Sequence, residues 1–91
     1  MLFTKEEAAI IWACINTDEK GNAKTFSLSQ LKDASEILSK VKETCVDKEE
    51  KFVDGDLDFT TDQKKLIRDC SDREWPATVG SLVLKVREML N

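Results

Sequence analysis

The stretch LSQLKDASEILSKVKETCV, residues 28–46, carries the clearest secondary-structure signal in the chain. Its apolar residues recur at steps of three and four, the spacing that places side chains on one stripe of an α-helix. That stripe consists of Leu31, Ala34, Ile37, Leu38, Val41 and Cys45. The opposite face is polar, so this amphipathic helix must bury its stripe against other apolar elements of the same chain.

The first of those elements lies upstream, at about residues 5–16. Thr4 and Glu7 have the spacing of a capping box, in which each side chain hydrogen-bonds the other residue's backbone N–H. Apolar residues of this segment, Trp12 among them, project around most of the helix circumference. We therefore expect a helix that is central in a bundle or meets another chain. A turn-rich loop follows at residues 16–22.

Two further helices are predicted downstream of residue 46. Thr60 or Thr61 can cap a helix over about 61–70, and Pro76 suits the first turn of a helix over about 76–90. The pair Asp54-Gly55 is typical of tight hairpin turns, so residues 52–57 are expected to form either a tiny β-hairpin or a plain loop. No internal repeat is apparent. The 91 residues thus predict one all-α domain, residues 1–91, a compact four-helix bundle with an acidic loop between the second and third helices.

Residues 43–62, here called the acidic window, hold eight of the eighteen carboxylates and only two lysines. The window therefore has a net charge of −6, whereas the whole chain has −4. A local acidic block in a small protein favours an electrostatic contact surface over a reaction centre. The candidate partner-binding residues are Glu43, Asp47, Glu49, Glu50, Asp54, Asp56, Asp58 and Asp62.

The aspartates of the window also match two catalytic or metal-binding patterns in part. Asp56-Leu57-Asp58-Phe59-Thr60 fits the Asp-x-Asp-x-Thr string of haloacid-dehalogenase-type phosphatases, whose chemistry needs a parallel sheet that the pattern of this chain does not indicate. An EF-hand starting at Asp54 would need Gly at its sixth position and Glu at its twelfth, where Phe59 and Lys65 stand. Weak, millimolar-type binding of a divalent cation is the most that these aspartates predict.

The remaining chemistry-bearing residues are few. The chain has no histidine, and its three cysteines are far apart, so we expect buried thiols in a reducing environment, no metal site and no cofactor. Lys64, Lys65, Arg68 and Arg73 form a small basic edge, a poor footprint for nucleic acid on an acidic protein. The longest strongly apolar run, residues 8–15, is too short to span a membrane, and no signal peptide is visible.

The sequence therefore predicts a small, cytoplasmic, non-catalytic adaptor or inhibitor whose acidic window contacts a basic surface on a protein partner. Its size and acidity would suit a phage or mobile-element accessory protein. The alternative is a homodimeric assembly protein that associates through its first and fourth helices. Trp12 and Leu84 are the candidate self-association residues, because Trp12 is an aromatic anchor and Leu84 points away from the apolar stripe of its helix.

Overall fold

Four α-helices and a two-stranded antiparallel sheet make up the computed structural model, which describes residues 1–91. In chain order the elements are β1 (Leu2–Phe3), α1 (Lys5–Asn16), α2 (Leu28–Cys45), β2 (Gly55–Asp56), α3 (Thr61–Ser71) and α4 (Gly80–Met89). This arrangement confirms the predicted all-α four-helix fold. The predicted fourth helix starts late, because residues Ala77–Val79 form a single 3-10 turn before α4.

Helix α1 is the central element of the bundle. It packs against α2, α3 and α4, and six of its twelve residues are buried. The predicted capping box is present: the Thr4 hydroxyl accepts from the Glu7 backbone N–H, and Glu7 Oε1 accepts from the Thr4 backbone N–H at 2.8 Å. The apolar residues on several sides of α1 are thus covered largely by its own chain.

Helix α2 buries the predicted stripe through Ala34, Ile37, Val41 and Cys45. Leu31 differs from the prediction, because its side chain is 45 % exposed and the buried stripe begins one turn later.

A contact between α3 and the C-terminal end of α4 links these two helices. The guanidinium of Arg68 in α3 donates to the backbone carbonyl of Leu90, the residue that follows α4. A cation at this position satisfies a carbonyl that the helix itself leaves without a partner.

The N-terminus of α3 repeats that of α1. Both helices follow a Phe-Thr pair, and in both the threonine and the third helical residue form a reciprocal capping box, here Thr60 with Gln63. The third residue is buried in both cases, as Glu7 in α1 and Gln63 in α3. This similarity was not apparent from the sequence, because the two segments have few identical residues beyond the Phe-Thr pair.

Each capping box also receives a lysine from a different helix. Lys85 Nζ of α4 lies 3.0 Å from Glu7 Oε2, and Lys40 Nζ of α2 donates to Gln63 Oε1 at 2.8 Å. The helix pairs α1–α4 and α3–α2 are therefore joined by the same kind of contact, in which a lysine of one helix binds the buried third residue of the other.

The two strands join the N-terminal segment to the acidic window. Leu2 pairs with Asp56 and Phe3 with Gly55, so β2 pairs with β1 and not with a strand next to it in the chain. The predicted turn at Asp54-Gly55 does not form a hairpin of residues 52–57. Gly55 is required for a different reason: a Cβ there would lie 2.8 Å from both Cys45 Sγ and the Thr44 backbone oxygen, so only glycine lets β2 lie this close to α2.

Candidate interaction surface

All eight carboxylates of the acidic window are exposed at the surface. They fall into two groups along the chain: four on the end of α2 and the loop after it, and four between Asp54 and the first turn of α3. The window is an ordered part of the fold, because backbone hydrogen bonds close its loop and β2 belongs to the sheet. Its negative charges therefore lie on a surface of defined shape.

Several of these carboxylates also hold the window together. Asp47 Oδ1 accepts from the backbone N–H groups of Glu49 and Lys51, which closes the loop after α2. Asp54 Oδ1 accepts from the Lys5 backbone N–H at 2.8 Å, the first amide of α1 and one that no helical carbonyl can reach. Asp54 thus ties the window to the start of α1.

The N-terminal amine of Met1 lies against the same group. Its nitrogen is 2.6 Å from Asp56 Oδ1 and 3.8 Å from Asp58 Oδ1. The hydrogen bond that the amine donates to Asp56, opposed by some desolvation, raises the pKa of this amine above its ordinary value. Glu49 has a lysine partner, Lys51, at 3.4 Å. The other five carboxylates of the window have no ion-pair partner in the chain: Glu43, Asp47, Glu50, Asp54 and Asp62.

Contacts of Lys40 and Phe59 fix the segment between β2 and α3. Lys40 Nζ donates to the Asp58 carbonyl at 2.8 Å, and its ammonium lies 5.5 Å from the centre of the Phe59 ring. Phe59 in turn meets Phe3 of β1 edge to face, with ring centroids 6.1 Å apart. These contacts hold the chain between β2 and α3 in one conformation.

The loop after α2, residues 46–52, has the same shape as the loop after α1, residues 17–23. In each loop the first and last residues form an antiparallel bridge, and the aspartate at the second position accepts from the backbone N–H groups at the fourth and sixth. Each loop also has a residue with positive φ at its fifth position. That residue is Gly21 with φ +83° in the first loop and Glu50 with φ +62° in the second.

A cavity of about 290 Å³ opens beside the second loop, here called the aromatic cavity. Its lining consists of Trp12, Lys42, Val46, Glu50 and Phe52. The rings of Trp12 and Phe52 meet edge to face with centroids 6.4 Å apart and an interplanar angle of 67°. Both rings pack against the core yet remain partly exposed, so the floor of the cavity is apolar and its rim bears Lys42 and Glu50.

The two predicted self-association residues are not brought together. Trp12 lines the aromatic cavity, whereas Leu84 is 64 % exposed and borders a separate depression with Trp75, Arg73 and Arg87. The guanidinium of Arg73 stacks on the Trp75 ring at 4.5 Å and donates to the Thr17 carbonyl. Trp12 and Leu84 therefore line different depressions.

The basic edge noted in the sequence is largely engaged within the chain. Arg68 and Arg73 both donate to backbone carbonyls, and Lys65 pairs with Asp69 at 3.1 Å one helical turn away. The pair of Lys65 with Asp69 is an i,i+4 ion pair within α3, so part of the basic edge is balanced by a carboxylate of its own helix.

All three cysteines are free and buried, which confirms the expectation of buried thiols. Burial raises the pKa of each thiol, and for Cys14 it raises the pKa to about 11. At neutral pH these groups are therefore protonated and poor nucleophiles. No three His, Cys, Asp or Glu side chains converge in a way that could hold a metal ion.

Glu7 is a charged residue whose setting the sequence did not reveal. Its capping role was predicted, but its side chain is almost fully buried, and Oε2 has only the Lys85 ammonium beside it, in an ion pair that is not aligned as a hydrogen bond. Burial alone would raise the pKa of this carboxyl. The Thr4 N–H and Lys85 outweigh burial and hold the pKa below its ordinary value.

No protein-family model, curated protein or solved structure matches this chain. None of the helices has the length and apolar character needed to cross a membrane. The candidate site therefore has to be interpreted from its own geometry and charge.

Proposed function

We propose that this protein is a non-catalytic adaptor or inhibitor that binds a basic surface of a protein partner through its acidic window. The observation that carries the proposal is that all eight carboxylates of a segment with net charge −6 are exposed on an ordered surface. None of them is buried, whereas a catalytic acid or base usually lies in an enclosed site. Carboxylates spaced along a fixed surface can imitate the phosphates of a nucleic acid and so occupy a basic cleft.

Electrostatic attraction of this kind makes association fast and sensitive to salt. Backbone and side-chain contacts that hold the window in place support the proposal, because a preformed surface loses little conformational entropy on binding. Asp54, which caps α1, and Asp47, which closes the second loop, keep one carboxylate oxygen free for a partner.

The test compares two variants that remove three negative charges each. One changes Asp54, Asp56 and Asp58 to Asn within the window. The other changes the exposed residues Glu6, Glu19 and Glu88 to Gln outside it. A partner isolated with the wild-type protein at low salt should be lost at high salt and in the window variant, and retained by the second variant.

Equal binding by the two variants would contradict the proposal, because total charge and not the window would then determine affinity. Each purified complex should be titrated at several salt concentrations, and the window variant should show the smaller salt dependence.

The alternative function is a homodimeric assembly protein, and the observation that favours it is the exposed Leu84 beside Trp75. Sedimentation velocity over a range of protein concentrations distinguishes the two. A dimer that dissociates on Leu84→Ser substitution and does not respond to salt would support assembly through α4.

A further inference from the structure

The aromatic cavity is part of the acidic window. Three of its lining residues, Val46, Glu50 and Phe52, belong to residues 43–62, and Lys42 directly precedes them. The surface of the window therefore includes an apolar depression with one carboxylate, that of Glu50, in its lining. A purely electrostatic contact surface has no need of such a depression.

The size and lining of the cavity match one amino-acid side chain. Enclosed sites for drug-sized ligands range from about 300 to 1,000 Å³, and this open cavity of about 290 Å³ lies at the lower end of that range. Interfaces obtain most of their binding energy from a few apolar or aromatic side chains seated in well-packed pockets. The partly exposed rings of Trp12 and Phe52 provide such a floor.

We propose that the aromatic cavity receives an apolar side chain from a Lys/Arg-rich segment of the partner. This inference rests on the proposed function and specifies the chemistry of the segment that is bound: basic residues that meet the carboxylates, flanking one apolar anchor that enters the cavity. Charge complementarity assigns the occupant, because the acidic window, which supplies three of the lining residues, has a net charge of −6 and contains only Lys48 and Lys51 as cations.

The two charged residues of the rim have opposite roles in this arrangement. Glu50, the only carboxylate that lines the cavity, attracts the residues that flank the anchor. Lys42 on the rim repels them, so Lys42→Gln is expected to tighten binding of a basic peptide and Glu50→Gln to weaken it, each by about two- to fivefold. Glu19→Gln on the equivalent loop after α1 is the matched control and should have no effect.

The experiment uses two lysine nonapeptides that differ only in whether the central residue is leucine or serine. The protein carries Trp75→Phe, so that Trp12 is the only tryptophan and its fluorescence reports on the cavity. We expect the leucine peptide to bind about five- to tenfold more tightly and to shift Trp12 emission to shorter wavelength. The serine peptide should bind with the same salt dependence and leave the emission unchanged.

Two variants remove the apolar contact, and because one of them lacks the Trp12 reporter, isothermal titration calorimetry measures the peptide affinities of both. Trp12→Phe reduces the ring area, and Val46→Thr replaces a methyl group by a hydroxyl of nearly the same size, so that the second variant is informative even if the first perturbs folding. Affinity for the leucine peptide should fall toward that for the serine peptide, which itself should not change. The variant with Asp54, Asp56 and Asp58 changed to Asn should weaken both peptides equally.

The outcomes separate this inference from the proposed function. Equal affinity for the two peptides, with both weakened by neutralising the window, would overturn the inference and leave the proposed function standing. A leucine advantage without any effect of salt or of the window variant would overturn both the proposed function and the basic character of the segment. A dimer that forms without peptide and is lost in Val46→Thr would assign the cavity to a second copy of the chain and overturn the inference.

Discussion

Replacing Glu50 by glycine is expected to stabilise the protein, although it removes an entire side chain. Glu50 has φ +62°, in the left-handed region, where a residue with a Cβ costs about 1–2 kcal/mol. Glycine avoids that cost but loses about 0.4–1 kcal/mol through the greater freedom of the unfolded chain. The balance is a net gain of roughly 0.5–1 kcal/mol, which corresponds to a rise in Tm of about 2–8 °C for a domain of this size.

The equivalent loop provides an internal control for this prediction. Gly21 occupies the same position with φ +83°, and a Cβ added there would meet no other atom within 4 Å. Gly21→Ala should therefore destabilise the protein through the backbone alone: the left-handed cost of about 1–2 kcal/mol, less about 0.4–1 kcal/mol from the reduced freedom of the unfolded chain, leaves a net loss of roughly 0.5–1 kcal/mol. Glu50→Gln retains the Cβ and removes only the charge, so its free energy of unfolding should stay within about 0.5 kcal/mol of wild type.

Urea denaturation followed by tryptophan fluorescence measures all three variants on the same scale. If Glu50→Gly were no more stable than Glu50→Gln, the positive φ of Glu50 would not be a source of strain and the comparison of the two loops would be refuted. The same glycine variant removes the carboxylate of the aromatic cavity, so it should bind the leucine peptide more weakly while it unfolds at a higher urea concentration. Opposite signs for stability and binding are typical of residues retained for function.

Three further predictions follow from buried groups. Lys85→Gln leaves the Glu7 carboxylate without its cation and should lower the free energy of unfolding by about 1–2 kcal/mol at neutral pH. Because the pKa of Glu7 is lowered in the folded protein, this loss should be present above pH 4.5, the ordinary pKa of the carboxyl, and should shrink as the pH falls through the pKa of the folded state. Urea titrations at a series of pH values measure it. Gly55→Ala forces a Cβ to 2.8 Å from Cys45 Sγ and should destabilise by about 1–3 kcal/mol in the same assay, with an unchanged midpoint contradicting the close packing of β2. Cys14, whose pKa is raised to about 11, should react with iodoacetamide at neutral pH only after urea unfolds the chain, and rapid alkylation of the native protein would show that the thiol is not buried.

The elements that sequence reasoning predicted well are those specified by nearby residues. The stripe of α2 follows from a repeat of three and four residues, and the capping box at Thr4 and Glu7 is complete within four positions. The exposure of the acidic window follows from its composition, because isolated carboxylates are rarely buried. The local charge of the candidate surface could therefore be predicted.

The features that could not be predicted depend on residues far apart in the chain. Asp54-Gly55 has a strong local preference for a hairpin turn, but β1 lies close enough to pair with β2, and the close approach of α2 requires a glycine at that position. The aromatic cavity is formed by Trp12 of α1 and Phe52 of the second loop, which no spacing rule relates. The similarity of the two loops could not be predicted, because Glu50 occupies a position of positive φ where glycine is the usual residue.

The pairing of β1 with β2 has a consequence for the order in which the chain folds. The Met1 amine and Asp56 are 55 positions apart, whereas the loops after α1 and α2 each close within seven residues. Closing a long segment costs more conformational entropy than closing a short one, and contacts distant in sequence slow folding. We therefore expect the two loops to form early and the strand pair to close last. In native-state hydrogen exchange, the amides of the strand pair should open before those of α1 and α2, so the part of the acidic window around β2 would be released while the second loop and the helices remain folded.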